Sequence, residues 1–190
     1  LFSENNITRR IDMCGIVGYI GSQNAQDFVL DGLEKLEYRG YDSAGIAVNT
    51  GEDKFHIVKK VGRLKNLADI LEKEPLKGTM AIGHTRWATH GKPSDENSHP
   101  HFNKDETLVV VHNGIIENYL ELKKELIAKG YKFNSETDTE VVTHLLDELY
   151  EGDLLEATKK LIKIIKGAYA LGIMAVNEPD RIIAVRKESP

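Results

Sequence analysis

The residue best suited to covalent chemistry is Cys14, the only cysteine of the chain. A cysteine in an apolar segment is usually an inert packing residue, and this stretch alone favours that role. Met13 supports a different role, because a Met-Cys pair is typical of a translation start whose methionine is removed. Cys14 would then carry a free α-amine, whose ordinary pKa of about 7.7–8.0 lets it accept the thiol proton near neutral pH. Nucleophile and base would share one residue.

An Asn-Gly pair, Asn113-Gly114, follows the apolar run at residues 109–111 and His112. A side-chain N–H from Asn and a backbone N–H from Gly suit an oxyanion hole, where losing one donor typically costs about 2.7–4 kcal/mol. Asn-Gly between apolar runs is also the strongest short hairpin signal, and on spacing alone the hairpin is favoured. The acidic and then helical stretch that follows weakens the hairpin prediction.

Two charged residues could hold the ends of an amino acid. Arg86, followed by the only tryptophan, Trp87, comes just past a predicted strand. Arg can clamp a carboxylate through two parallel charge-assisted hydrogen bonds; a surface Arg beside a packed Trp is an equal alternative. Asp138, at a predicted helix start, could bind an ammonium group, although taken alone it is more often an N-terminal cap.

Composition excludes several classes of function. The chain has 190 residues, the size of one ordinary domain, and a net charge of −5, which gives no reason to bind nucleic acid or an anionic membrane. It lacks a bilayer-length apolar run and an apolar leader, and a lone cysteine fits a reducing compartment, so the expected location is the cytoplasm.

No motif among the seven histidines fits a metal site, and no phosphate or dinucleotide loop occurs. We expect no metal and no cofactor.

Apolar periodicity predicts strands and helices in an order that mixes strand pairs with helix pairs, which favours antiparallel sheet covered by helices. Helix 25–38 is expected to turn Phe28, Val29, Leu33 and Leu36 inward. The predicted strands are 13–20, 44–49, 54–61, 80–85, 108–112, 168–176 and 181–185, and the other predicted helices are 64–72, 118–129, 138–151 and 154–165.

Several motifs, in this order, closely resemble the glutaminase domain of the glucosamine-6-phosphate synthase family, one of the class II, or N-terminal-nucleophile, glutamine amidotransferases. They are Met13-Cys14-Gly15-Ile16-Val17-Gly18, Tyr38-Arg39-Gly40-Tyr41-Asp42-Ser43-Ala44-Gly45, His84-Thr85-Arg86-Trp87-Ala88-Thr89-His90-Gly91, His112-Asn113-Gly114 and Ser135-Glu136-Thr137-Asp138. The resemblance implies an α+β fold, a four-layer αββα sandwich of two antiparallel sheets.

The resemblance also implies the chemistry, namely hydrolysis of glutamine to glutamate and ammonia through a thioester. It makes Cys14 the nucleophile, with its α-amine as the base, and places Asn113 and Gly114 in the oxyanion hole. In the full-length enzyme the ammonia would convert fructose 6-phosphate to glucosamine 6-phosphate on separate sugar-phosphate isomerase domains. Such an enzyme is expected to be a homo-oligomer, and no cofactor is required.

The same resemblance assigns the binding of glutamine. Arg86 would hold the α-carboxylate, and Asp138 with the backbone at Gly114 would hold the α-amino group. The remaining residues would line or close the pocket or lie beside the nucleophile: Trp87, Thr89, His90 and Arg39.

The chain departs from the family pattern at both ends. Residues 1–13 are interpreted as an extension, either a tag, a propeptide or an upstream start, and residues 14–190 as an amidotransferase domain that is incomplete at its C-terminus. With the extension present the nitrogen of Cys14 is a peptide amide, so poor hydrolysis is expected until residues 1–13 are removed. Two alternatives remain: a non-catalytic module of the same fold, and a cysteine hydrolase of other amides.

Overall fold

The computed structural model describes residues 14–87 and 90–189, apart from the side chain of Arg39. The predicted extension at residues 1–13 and Thr89 therefore lie outside the described residues. Within them the strands are β1 (Gly15–Ile20), β2 (Ser43–Asn49), β3 (His56–Val61), β4 (Met80–Arg86), β5 (His101–Phe102), β6 (Leu108–Ile116), β7 (Gly167–Ala175) and β8 (Ile183–Lys187). The helices are α1 (Ala25–Glu34), α2 (Leu64–Lys73), α3 (Tyr119–Ala128), α4 (Thr139–Leu149) and α5 (Leu154–Leu161).

The strands form two four-stranded sheets, with the orders β1-β4-β2-β3 and β5-β6-β7-β8. Neighbouring strands within each sheet run antiparallel. Helices α1 and α2 pack on the first sheet, and α4 packs on the second together with α3 and α5. The predicted α+β sandwich of two antiparallel sheets between helix layers is confirmed.

The side-chain pattern of β6 shows why the layers form. Successive residues of a strand point to opposite faces of the sheet. Leu108 and Val110 belong to the apolar core under α3, α4 and α5, whereas Val109 and Val111 belong to the core between the two sheets. All four are at most 1% exposed, so this strand is apolar on both faces and must lie inside the sandwich.

The first predicted helix differs from the observed one in its length and in one of the residues expected to be buried. The helix predicted at 25–38 ends at Glu34, and a short 3-10 turn, Glu37–Arg39, follows it. Phe28, which was predicted to point inward, is 45% exposed, so that prediction was wrong. Its ring packs instead on Tyr19 of β1, with 4.2 Å between ring centroids. The buried face of α1 carries Val29 and Leu33, as predicted.

Candidate active site

Cys14 lies immediately before β1, beside the end of β4. The backbone N–H of the next residue, Gly15, donates to Thr85 Oγ1 at 3.1 Å. A Cβ at Gly15 would lie 2.7 Å from both Thr85 Oγ1 and Leu36 Cδ1, so a glycine allows β1 to approach this closely. The Cys14 sulfur in turn accepts a hydrogen bond from the backbone N–H of Trp87 at 3.1 Å. The first sheet thus fixes the position of the thiol.

The surroundings of the thiol do not ionise it. Burial raises the pKa of Cys14 above its ordinary value, and the Trp87 backbone and the Arg86 guanidinium only partly offset this. Within the described residues the hydrogen bonds of the sulfur go to the backbone of Trp87, including a 3.6 Å contact to its carbonyl oxygen. Since the thiolate is the reactive form, a base must remove the proton.

Asn113 and Gly114 lie inside β6 rather than in a turn. They pair with Ala170 and Tyr169 of β7, and the strand continues to Ile116, so the hairpin alternative was wrong. Gly114 has a φ of +117°, a backbone conformation that favours glycine. The Asn113 side chain reaches the first sheet, where its Nδ2 donates to the carbonyl oxygen of Cys14 at 2.9 Å. The predicted oxyanion donors therefore flank the cysteine.

Arg86 is the last residue of β4, and its side chain is buried. Its Nη2 donates to the carbonyl oxygens of His90 and of Gly91, the latter at 3.3 Å. Its Nη1 lies 3.8 Å from Asp42 Oδ1 and has no hydrogen-bond partner among the described residues. A buried cation that retains unused N–H groups beside a cavity suits a carboxylate ligand.

Asp138 occupies the N-cap position of α4, yet no side-chain cap hydrogen bond forms there among the described residues. Its Oδ2 accepts instead from the backbone N–H of Ile116, at 2.8 Å, which ties the start of α4 to the end of β6. Its Oδ1 lies 3.9 Å from Nδ1 of His112. Asp138 is only 4% exposed. Because a buried negative charge is unfavourable unless it is paired, a cationic ligand group would compensate it.

These residues meet around one cavity of about 270 Å³, which is near the lower end of the range of about 300–1,000 Å³ found for small-molecule sites. Its lining brings together Cys14, Arg86, Trp87, His90, Asn113, Gly114 and Asp138. Trp87 is 42% exposed, and the ring of His90 packs edge-on against Tyr119. Thr89 and the side chain of Arg39 lie outside the described residues, so their predicted places in the pocket stay predictions.

Several lining residues were not predicted from the sequence: His99, His112, Ile115, Thr137, Thr139 and Ser189. From the sequence, His99 was considered only among the histidines that might bind a metal, and His112 only as part of the motif that precedes Asn113. In the structure both histidines hydrogen-bond one hydroxyl group: Thr139 Oγ1 lies 2.9 Å from His99 Nε2 and 2.9 Å from His112 Nδ1. The sequence around the two histidines does not indicate this common partner.

The buried histidines near the cavity are neutral groups. Burial lowers the pKa of His84 to about 3 and holds the pKa of His99 and of His101 well below the ordinary value. Burial also lowers the pKa of His112, against the opposing effect of Asp138. Within the described part of the chain, His, Cys, Asp and Glu form no group of three or more that could hold a metal ion.

The layered fold, with a cysteine immediately before its first strand, is that of the N-terminal-nucleophile class. A sequence model described as the glutamine amidotransferase domain matches residues 84–189, more than half of the chain. The chain belongs to this glutamine amidotransferase domain family. Within the described ranges every helix is too short or too polar to cross a membrane.

Individual relatives agree with this assignment. The chain is 58% identical over 178 residues to a glutamine-fructose-6-phosphate aminotransferase (isomerizing) of Clostridium acetobutylicum, covering 94% of this chain and 29% of the relative. The equally named Thermus thermophilus protein is 57% identical with the same coverage. The solved structure of the glutamine phosphoribosylpyrophosphate amidotransferase of B. subtilis, complexed with ADP and GMP, matches with a TM-score of 0.73 at 33% identity. That match covers 85% of this chain and 35% of the other.

Proposed function

We propose that this domain hydrolyses glutamine to glutamate and ammonia through a thioester on Cys14. The observation that carries the proposal is the charge arrangement of the 270 Å³ cavity. A buried guanidinium with unused donors and a buried carboxylate line the same space as a thiol. These two charges complement the carboxylate and ammonium groups of an α-amino acid, and the thiol is available for its side chain.

The substrate would be held at its amino-acid end. Arg86 Nη1, which lacks a hydrogen-bond partner among the described residues, binds the α-carboxylate. Asp138 and the backbone at Gly114 bind the α-ammonium group. Trp87 and His90 line the cavity, and we expect Thr89, which lies between them in sequence, to line or close the pocket and Arg39 to lie beside the nucleophile.

The reaction would begin with proton transfer from the thiol to the α-amine of Cys14. The sulfur attacks the side-chain carbonyl carbon, and the resulting oxyanion accepts hydrogen bonds from the Asn113 side chain and the Gly114 backbone. An amide NH₂ has two donors, so Asn113 can bind the oxyanion while it keeps its hydrogen bond to Cys14. The C–N bond then breaks, the α-ammonium group donates its proton to the leaving nitrogen, and ammonia departs.

Water completes the cycle by hydrolysing the γ-glutamyl thioester. The α-amine takes a proton from the attacking water, and the tetrahedral intermediate forms in the same oxyanion hole. The C–S bond breaks, the sulfur regains a proton, and glutamate is released. Both halves of the reaction need a Cys14 amine that is not acylated.

Residues 1–13 therefore bear directly on the proposal. In the sequence as printed the nitrogen of Cys14 is part of a peptide bond and cannot act as a base. We expect the catalytic domain to be residues 14–190 and the segment 1–13 to suppress hydrolysis until it is removed. Without that amine, burial keeps the thiol in its protonated form near neutral pH.

The larger protein is proposed from the names of its relatives. The chain spans about 29% of the length of the curated relatives. In a full-length protein of that kind the ammonia would pass to sugar-phosphate isomerase domains and convert fructose 6-phosphate to glucosamine 6-phosphate. Such an enzyme would act in the cytoplasm as a homo-oligomer.

Covalent labelling tests the proposal for this chain. A chloroketone analogue of glutamine should alkylate Cys14 in the form that begins at that residue, and intact-mass measurement should show one adduct. Glutamine should protect against labelling, and Cys14→Ala should remove it. Equal labelling by a chloroketone that lacks the amino-acid end would show that the cavity does not recognise glutamine.

A further inference from the structure

We propose that His84 is a positioning residue for this reaction, because its Nε2–H group fixes the Asn113 amide with the NH₂ side facing Cys14. The proposal rests on the proposed function and adds to it a residue that touches neither substrate nor thiol. His84 lies in β4, in the first sheet, whereas Asn113 lies in β6 of the second. Their contact joins the strand beside the nucleophile to the strand that carries the oxyanion donors.

The imidazole must donate at this contact. His84 Nε2 lies 2.8 Å from Asn113 Oδ1 and 3.0 Å from the backbone carbonyl oxygen of His112. A backbone carbonyl oxygen only accepts, so Nε2 carries a hydrogen. The Asn113 atom that shares this hydrogen must therefore be its oxygen.

The other end of the amide gives the same orientation independently. Asn113 Nδ2 lies 2.9 Å from the carbonyl oxygen of Cys14, which again only accepts. In the reversed orientation two oxygens would face each other at Cys14 and two N–H groups would face each other at His84. The ring nitrogen and the Cys14 carbonyl thus select one of the two amide orientations.

The environment of His84 maintains this donor. The side chain is fully buried, with 0% exposure, and its ring packs on His99 with 4.3 Å between centroids. Its Nδ1 has no hydrogen-bond partner among the described residues, so an additional proton there would be unpaired. Burial lowers its pKa to about 3, which leaves one ring proton, on Nε2, at neutral pH.

The consequence for catalysis concerns the transition state. If the amide could rotate, Oδ1 would spend part of the time where the oxyanion forms, and an acceptor there would repel the developing charge. The ground-state contacts of glutamine with Arg86 and Asp138 would not change. Loss of the His84 donor should therefore lower kcat and leave KM for glutamine nearly unchanged.

Kinetics of variants test this in the form that begins at Cys14. His84→Leu should lower kcat by at least 10-fold, up to the roughly 10²–10³-fold typical of losing an oxyanion donor. His84→Gln, which can still donate, should recover part of the loss. In an Asn113→Ala background His84→Leu should have little further effect on kcat, because its target is already absent.

His101→Leu is the matched control. His101 is also buried and also neutral, but its Nε2 hydrogen-bonds Thr137 and not Asn113. It should show a loss of stability comparable to that of His84→Leu with a far smaller loss of kcat. Equal kcat losses for the two leucine variants, or equal kcat losses from His84→Leu with and without Asn113, would overturn the proposal.

A second measurement needs no activity and uses the whole 190-residue chain. Nitrogen-15 NMR of the imidazoles should show His84 protonated on Nε2 and not on Nδ1, without titration between pH 5 and pH 8. An Nδ1-protonated ring, or titration near the ordinary pKa of about 6.5, would refute the proposal whether or not the domain hydrolyses glutamine. An inactive Cys14-first form with the expected tautomer would count against the proposed function instead.

Discussion

Replacing Arg86 with alanine would remove the guanidinium that faces the cavity and should weaken glutamine binding. Arg86 Nη1 has no hydrogen-bond partner among the described residues, so at least one charge-assisted hydrogen bond to the substrate carboxylate is lost. Such a bond is worth about 1.5–3 kcal/mol. At about 1.4 kcal/mol per factor of ten, KM for glutamine should rise by about 10- to 150-fold.

The variant also loses a structural contact, which the assay must separate. Arg86 Nη2 holds the carbonyl oxygens of His90 and Gly91, so Arg86→Ala could disturb this turn as well. Turnover of 4-aminobutanamide, which is glutamine without its α-carboxylate, provides the control. Its KM should be high with the unaltered domain and should change little in Arg86→Ala.

Comparison of the two substrates decides the role of Arg86. If Arg86→Ala raised KM for glutamine and for 4-aminobutanamide by the same factor, the residue would support the turn rather than bind the carboxylate. Arg86→Lys keeps the charge but lacks the two-pronged geometry, so it should fall between alanine and arginine for glutamine. An unchanged KM for glutamine in Arg86→Ala would refute the assignment of the carboxylate site.

Three further predictions concern the cavity and its supports. Gly114→Ala should lower the free energy of unfolding, measured with urea, by more than the 1–3 kcal/mol typical of backbone strain, because its Cβ would lie 2.1 Å from the Ala168 carbonyl oxygen. Gly130→Ala, also at positive φ but with nothing within 4 Å, is the control and should cost less. Asp138→Asn should raise KM for glutamine about tenfold or more in a steady-state assay, since it keeps an acceptor but loses the charge. In the 190-residue chain, alkylation of Cys14 by iodoacetamide should still be accelerating at pH 9, because the pKa of its thiol is raised above the ordinary value of 9.0; a plateau below pH 8 would contradict this.

The elements that depend on local patterns could be predicted from the sequence. The apolar run of β6 and the spacing of buried residues in α2 follow directly from strand and helix periodicity. The position of Asn113 and Gly114 could not be found in this way. Their dipeptide is a strong hairpin signal, but the ladder with β7, distant in sequence, keeps them in an extended strand. Tertiary pairing thus overrides the local preference.

The candidate active site likewise combines residues that the sequence could indicate with contacts that only the tertiary structure determines. Residue types made Cys14, Arg86 and Asp138 candidates but equally allowed packing, surface and capping roles, and the resemblance to the amidotransferase family decided between them. The contact between His84 and Asn113 depends on how two sheets stack, and one sequence does not specify that register. Ser189 lines the cavity from the end of the second sheet, and its residue type carries no signal for this.

Glutamate release from glutamine, measured side by side for the 190-residue chain and for the form that begins at Cys14, tests the central claim most directly. We expect rapid release, with one ammonia per glutamate, only from the form with a free Cys14 amine, and none after Cys14→Ala in that form. Equal activity of both forms would show that the α-amine is not the base. Activity that survives Cys14→Ala would contradict a thioester on Cys14 altogether.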